Sequence, residues 1–204
     1  MKKNFVFLLL AGMLLTGCSQ NTQSNLGANS STENVAPEAT QNEEKEETEK
    51  EGTEEDTVVL SFEASTIDGE PMTSQIFAQS KLTMMNVWAT YCNPCLSEMP
   101  DLGEISASYD TSDFQIIGII SDVAEGAGEE ELANARDLVL QTGADYPHLL
   151  LNESLYTNLV GAVDSVPTTF FVNNEGEVLG YTIGAKSKAD WEEIIHELLE
   201  QNES

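Results

Sequence analysis

The sequence predicts an α/β domain with a central mixed β-sheet flanked by helices. From residue 82 to residue 141, strand-like apolar runs alternate with helical patterns, which favours parallel strands connected by helices. Between residues 168 and 183, two strand-like runs are separated only by a short turn, which is typical of an antiparallel hairpin. A sheet that contains both kinds of strand pair is mixed.

The first half of the domain contains three predicted strands, a turn and a helix. Residues 58–62 form a short apolar strand, Asp68-Gly69 follows as a turn, and the apolar residues 82–88 predict a buried strand. Apolar side chains then recur at a spacing near 3.6 over residues 93–109, which predicts a helix. Residues 114–120 are almost continuously apolar, as in a strand that is buried on both faces of a parallel sheet.

The next segment contains two predicted helices and a short strand. Residues 129–141 have a helical pattern, and Gly143 is a typical C-cap for that helix. Residues 146–150, which include His148, predict a short edge strand in which the histidine is a packing or surface residue. A short helix is expected near residues 154–160.

The hairpin and a final helix complete the domain. The hairpin strands are expected at residues 168–172 and 178–183, with the turn between them at residues 173–176. Ser187 is placed to cap the last helix. The apolar stripe of that helix consists of Trp191, Ile194, Ile195, Leu198 and Leu199.

The N-terminus has the pattern of an export signal. Lys2 and Lys3 precede an apolar run over residues 5–15, which is too short to cross a membrane as a helix. Residues 15–18 resemble the lipobox of bacterial lipoproteins, in which the cysteine receives a diacylglycerol. We therefore expect a lipoprotein signal peptide at residues 1–17 and lipidation of Cys18; the alternative is an ordinary secretory signal with an unrelated cysteine.

Residues 18–56 are expected to form a disordered acidic tether after the lipidated cysteine. They contain no aromatic residue and end in a glutamate-rich run, so they cannot bury enough apolar surface to offset the entropy of ordering. A flexible coil of this length reaches about 35 Å. The tether would hold a single folded domain, residues 57–204, away from the membrane.

The overall charge excludes one class of partner. The chain has 8 basic and 36 acidic residues and a formal charge of −28. It therefore lacks the basic surface that nucleic-acid binding requires, and anionic surfaces would repel it. Attachment to a membrane would depend on the lipid.

Cys92 and Cys95 have CxxC spacing and lie where a strand passes into a helix. Unpaired N–H groups and the dipole at a helix N-terminus favour a thiolate at the first cysteine, so Cys92 is the expected nucleophile and Cys95 the shielded partner. The alternatives are an inert disulfide and half of a zinc site. Zinc needs four ligands, and the remaining candidates, His148 and His196, have no ligand spacing, so no metal or other cofactor is predicted.

Residues 86–95 read Asn-Val-Trp-Ala-Thr-Tyr-Cys-Asn-Pro-Cys, Glu98-Met99-Pro100 follows, and residues 165–170 read Ser-Val-Pro-Thr-Thr-Phe. Together they resemble the TlpA/ResA branch of the thioredoxin superfamily, which comprises membrane-anchored extracytoplasmic thiol:disulfide oxidoreductases. The resemblance runs from residue 58 to the end of the chain. It implies a thioredoxin-like fold and disulfide exchange with exported proteins.

The resemblance also implies roles for individual residues. Cys92 would attack the substrate and Cys95 would resolve the mixed disulfide. Pro167 would be a cis-proline beside the cysteines, and Val166 would offer its backbone to an incoming strand; the alternative for Pro167 is an ordinary trans-proline. Glu98 matches a glutamate near the active site and could accept the proton of Cys95, although it could also be a solvated helix residue.

The sequence also gives expectations for three further residues near the motif, namely Asn86, Trp88 and Tyr91. Asn86 occupies the place where thioredoxins proper have a buried aspartate, so the base must be another group or water. Trp88 and Tyr91 are expected to pack around the disulfide, but many relatives have tryptophan at the position of Tyr91.

Three functions remain open from the sequence. The first is disulfide exchange with the thiols and disulfides of exported proteins, most simply as a reductant that a membrane thiol-reducing electron donor keeps reduced, because no cationic residue flanks the motif to stabilise a thiolate. The second is a thiol peroxidase of the redoxin group. The third is a non-catalytic lipoprotein that binds a partner through a thioredoxin-like scaffold.

Overall fold

The computed structural model describes residues 58–202, which form a five-stranded sheet, a small hairpin and the helices around them. The strands are β1 (Glu63–Ser65), β2 (Pro71–Thr73), β3 (Leu82–Trp88), β4 (Phe114–Ala124), β5 (His148–Leu151), β6 (Thr168–Asn173) and β7 (Val178–Ile183). The helices are α1 (Asn93–Ser108), α2 (Glu129–Thr142), α3 (Glu153–Asn158) and α4 (Lys188–Asn202), with 3₁₀ turns at Ser74–Gln79 and Val160–Ala162.

The central sheet is mixed, as predicted. Its strand order is β5-β4-β3-β6-β7. The pairs β3–β4 and β4–β5 are parallel, whereas β3–β6 and β6–β7 are antiparallel. All seven residues of β3 are buried, because this strand lies at the centre of the sheet and has a partner on each side.

Two apolar clusters cover the two faces of the sheet. One cluster contains the inward residues of α1 and α4 together with both cysteines of the CxxC motif. The other contains residues of the 3₁₀ turns, α3 and the segment before β1. The CxxC motif therefore lies at one end of the first face, where β3 passes into α1.

Most predicted elements are confirmed, and their bounds agree within a few residues. Gly143 ends α2 in a left-handed conformation with φ of 68°, and its N–H donates to the carbonyl oxygens of Val139 and Leu140. The Asp190 N–H lies 3.3 Å from Ser187 Oγ at the start of α4. Both residues thus cap the helices for which they were predicted.

The strand predicted at residues 58–62 is wrong. Val59 forms only an isolated bridge to Glu177, and the first strand pair is instead the antiparallel hairpin of β1 and β2. The expectations for residues 1–57 lie outside the described residues. Within residues 58–202, no helix is long and apolar enough to cross a bilayer.

Candidate active site

Cys92 and Cys95 form a disulfide at the N-terminus of α1, with their Cα atoms 5.3 Å apart. Cys92 is the N-cap of the helix, and the Cys95 N–H donates to Cys92 Sγ over 3.2 Å. Pro94 lies in the first turn, where its missing N–H leaves no helical hydrogen bond unmade. A thiolate at Cys92 would therefore keep a backbone donor and the positive end of the helix dipole.

The two sulfurs differ in accessibility. Cys95 is fully buried, whereas Cys92 retains 6% of its surface and lies among the exposed residues Tyr91, Asn93 and Pro94. This difference agrees with attack by Cys92 and resolution by Cys95. The expectation that Tyr91 packs around the disulfide is wrong, because its side chain is 74% exposed.

The loop before β6 meets the disulfide. The Val166–Pro167 peptide bond is cis, as the resemblance implies. The Val166 carbonyl oxygen lies 3.6 Å from Cys92 Sγ, and the Gly184 N–H donates to the Pro167 carbonyl over 2.8 Å, which joins this loop to the end of β7. The backbone of Val166 is thus held beside the more accessible sulfur.

Glu98 is buried one turn after Cys95 and accepts three hydrogen bonds. Its Oε1 accepts from Asn86 Nδ2 at 3.2 Å. Its Oε2 accepts from the Lys186 backbone N–H at 3.1 Å and from Trp191 Nε1 at 3.3 Å. Burial raises the pKa of the Glu98 carboxyl, and these donors oppose the rise only in part. Glu98 is therefore a buried and hydrogen-bonded group, not a solvated helix residue.

Three residues around Glu98 could not be associated with the site from the sequence. Lys186 follows β7, and its ammonium group lies 5.7 Å from the centre of the Trp191 ring. Its charge acts to lower the pKa of Glu98. Tyr146 is buried, and its hydroxyl group has no hydrogen-bond partner in the part of the chain that the structure describes. Both burial and the charge of Glu98 raise the pKa of Tyr146.

Trp88 contacts the cluster around the disulfide and also forms a buried pair with His148. Trp88 Nε1 donates to His148 Nδ1 over 3.1 Å, and His148 Nε2 lies 3.0 Å from the Ala144 carbonyl oxygen. A neutral imidazole with its proton on Nε2 satisfies both contacts. Desolvation lowers the pKa of His148 to about 4, so the ring is neutral near pH 7. The expected packing role of His148 is confirmed.

An aspartate from β4 holds the loop that precedes Cys92. Asp122 accepts from the Thr90 N–H at 3.0 and 3.1 Å and from Thr90 Oγ1 at 2.5 Å. Asp122 is 30 residues beyond Cys92, and only the parallel pairing of β3 with β4 brings it to this loop. Its place directly after the apolar run of residues 114–120 was the one sequence signal that could have identified it.

The described residues contain no group of three or more acidic, histidine or cysteine side chains that could hold a metal ion. His196 is not at the cysteines; it lies on α4, with Nε2 3.2 Å from Glu200. Cys18, the predicted lipidation site, lies outside the described residues.

Comparison with known proteins identifies a family and a curated relative. The model of the AhpC/TSA family matches residues 56–180. The chain is 27% identical over 120 residues to the thiol-disulfide oxidoreductase ResA of Bacillus thuringiensis (strain Al Hakam). The aligned region covers 59% of this chain and 65% of that relative. The match thus spans slightly less than two thirds of the relative's length.

Two solved structures extend the comparison. A thiol:disulfide interchange protein of the thioredoxin family from Chlorobium tepidum TLS is 30% identical, with a TM-score of 0.58 over 70% of this chain and 96% of that one. The exposed lipoprotein thioredoxin from Streptococcus pneumoniae strain TIGR4 is 25% identical, with a TM-score of 0.52 over 67% and 98% of the two chains. The fold is therefore thioredoxin-like.

Proposed function

Because the chain belongs to the AhpC/TSA family of thioredoxin-like proteins, we propose that it is a thiol:disulfide oxidoreductase that acts on exported proteins from a lipid anchor. The proposed chemistry depends on one observation: the Cys92–Cys95 disulfide lies at the start of α1, and its more accessible sulfur is beside the Val166 carbonyl. An extended substrate segment that passes Val166 would reach Cys92 but not Cys95.

The reductive direction proceeds in two exchanges. The Cys92 thiolate attacks one sulfur of the substrate disulfide, which forms a mixed disulfide and releases the other substrate sulfur as a thiolate. The Cys95 thiolate then attacks Cys92 Sγ, the second substrate sulfur leaves, and the enzyme disulfide forms. Two electrons pass from the enzyme dithiol to the substrate. The two protons lost by the enzyme thiols are equal in number to those that convert the two substrate thiolates to thiols.

Glu98 supports the second exchange in this proposal. Cys95 must lose its proton before it can attack, and it is fully buried, so solvent does not reach its sulfur. Glu98 is one helical turn away, and its raised pKa brings it closer to the operating range of a base near neutral pH. We assign to Glu98 the transfer of the Cys95 proton.

The charges around the site support the proposed role as a reductant. Cys92 Sγ has the Cys95 amide as its hydrogen-bond donor, and the buried acid nearest in sequence is Glu98. Strong oxidants depend on additional stabilisation of the thiolate. A membrane thiol-reducing donor would then return two electrons to the Cys92–Cys95 disulfide.

The anchor rests on the sequence of residues 1–18 and the acidic residues after it. The similarity to an exposed lipoprotein thioredoxin supports it. Two acyl chains on Cys18 would suffice for stable membrane attachment. Labelled fatty acid should be incorporated into the wild-type chain in cells and not into Cys18→Ala, which should appear in the medium; equal labelling of both would contradict the anchor.

Reduction of insulin in the presence of dithiothreitol tests the activity. The full-length chain should accelerate precipitation of insulin, and Cys92→Ser should return the rate to that of dithiothreitol alone. Consumption of hydrogen peroxide by the reduced chain separates exchange from peroxidase activity. Turnover of peroxide without insulin reduction would contradict the proposal, and absence of both would favour a binding protein.

A further inference from the structure

The two oxygens of the Glu98 carboxyl group have different kinds of partner. Oε2 accepts from the Lys186 backbone N–H and the Trp191 indole N–H. Both groups are donors only and cannot accept a hydrogen bond. Oε1 has a side-chain amide, Asn86, as its partner at 3.2 Å. A proton that binds Glu98 would therefore reside on Oε1.

Protonation creates a conflict at Oε1. In the described arrangement the Nδ2 group of Asn86 donates to this oxygen. If Oε1 carried a hydrogen, the new O–H group would need an acceptor inside the core, and Nδ2 of Asn86 can only donate. A hydrogen bond left unmade at a buried polar group is strongly unfavourable. The protonated state therefore needs a different partner atom.

Asn86 carries that atom on the same side chain. Its Nδ2 also donates to Thr169 Oγ1 over 3.0 Å, while its Oδ1 is buried and has no hydrogen-bond partner among residues 58–202. Rotation of the amide by 180° exchanges Oδ1 with Nδ2 and leaves the shape of the side chain almost unchanged. After rotation, Oδ1 would accept from Glu98 Oε1–H, and also from the hydroxyl group of Thr169, which can donate as well as accept.

We propose that Asn86 is a positioning residue whose amide has two orientations, one for each protonation state of Glu98, and that Thr169 supports both. This inference rests on the proposed transfer of the Cys95 proton to Glu98. The proton moves from Cys95 Sγ to Glu98 Oε1, the amide rotates, and Thr169 changes from acceptor to donor. When Glu98 releases the proton, the three groups return, and no other atom is gained or lost.

Other groups around Glu98 affect when the rotation occurs. The positive charge of Lys186 favours the carboxylate, while burial favours the protonated acid. Tyr146 faces the same carboxyl group closely enough for its pKa to respond to the charge of Glu98, but the phenol stays neutral throughout the range. The rotation should therefore follow the titration of Glu98 and of no other group.

Nuclear magnetic resonance on the isotopically labelled full-length chain tests the rotation without a variant. The carboxyl carbon of Glu98 reports its protonation, and cross-relaxation between the Asn86 amide protons and the Thr169 side chain reports the amide orientation. We expect strong cross-relaxation at high pH and a several-fold loss with the same midpoint as the Glu98 carbon. Unchanged cross-relaxation across that titration would overturn the proposal.

Thr169 offers a matched pair of variants. Thr169→Val keeps the size of the side chain but removes the hydroxyl group, whereas Thr169→Ser keeps it. We expect Thr169→Val to slow insulin reduction by about 2-fold to 10-fold and to remove the pH-dependent change in cross-relaxation to residue 169. Thr169→Ser should remain within about 2-fold of wild type; equal effects of the two substitutions would overturn the role of the hydroxyl group.

The two proposals can fail separately. If Glu98→Gln reduces insulin at the wild-type rate, the proton transfer assigned to Glu98 is wrong, whatever the amide does. If Glu98→Gln is slow and the Asn86 amide in the wild type stays fixed across the titration, the base assignment stands and the rotation is wrong.

Discussion

Gly118→Ala is the substitution whose cost the structure predicts most directly. Gly118 lies in β4, where a Cβ atom would be 2.2 Å from His148 Nδ1 and 2.8 Å from its Cε1. Ordinary contacts begin near 3.4 Å, so the imidazole would have to move by about 1 Å. Its two hydrogen bonds, from Trp88 Nε1 and to the Ala144 carbonyl, oppose that movement.

The expected loss of stability is about 2–4 kcal/mol. Overfilling a packed core costs about 1–3 kcal/mol, and each of the two hydrogen bonds lost adds about 1 kcal/mol. The better strand propensity of alanine returns about 0.5–1 kcal/mol. The net loss is a large fraction of the 5–15 kcal/mol that typically stabilises a domain.

Urea unfolding of the full-length chain, followed by tryptophan fluorescence, measures this loss. Gly180→Ala in β7 is the matched control, because a Cβ atom at Gly180 has no neighbour within 4 Å among the described residues; it should raise the unfolding free energy by about 0.5–1 kcal/mol through strand propensity alone. In a His148→Ala background the space is free, so Gly118→Ala should cost much less. Equal costs for the two glycine substitutions, or additive effects of Gly118→Ala and His148→Ala, would refute the close contact.

Three further predictions concern the surroundings of the disulfide. Burial lowers the pKa of His148 to about 4 from 6.5, so between these two pH values the folded state binds fewer protons than the unfolded chain. The free energy of unfolding should therefore fall by about 3 kcal/mol as the pH drops through this range. Urea unfolding of His148→Gln should lack this part of the pH dependence. Asp122→Ala frees Thr90 and should cost about 1 kcal/mol, whereas Asp137→Ala, on the exposed side of α2, should stay within about 0.5 kcal/mol. Tyr91→Ser should leave the unfolding free energy unchanged within about 0.5 kcal/mol. It should raise the KM for insulin more than the KM for a small disulfide, because the exposed ring offers a large substrate additional contact area.

The sequence was sufficient for those parts of the fold and site that depend on neighbours along the chain. The buried strand at Leu82–Trp88 and the following helix were predicted from local apolar spacing, and the CxxC motif lies at their junction. The β1–β2 hairpin was missed because its strands have three residues each and show no clear alternation.

The network behind the cysteines depends on contacts between distant residues. Asn86 of β3 and Lys186 in the loop after β7 reach Glu98 at separations of 12 and 88 residues. Thr169 of β6 reaches Asn86 at a separation of 83 residues. No local pattern distinguishes Lys186 from other surface lysines, so the sequence did not show that its charge acts on Glu98. The role proposed for Asn86 likewise required the positions of individual donor atoms.

Capture of substrates by a Cys95→Ser variant tests the central claim most directly. Without the resolving sulfur, Cys92 should remain joined to exported proteins as mixed disulfides that thiol reductants release, and Cys92→Ser should capture none. If Cys95→Ser captures no protein in cells while Cys92→Ser still reduces insulin, then Cys92 is not the attacking sulfur and the account is contradicted.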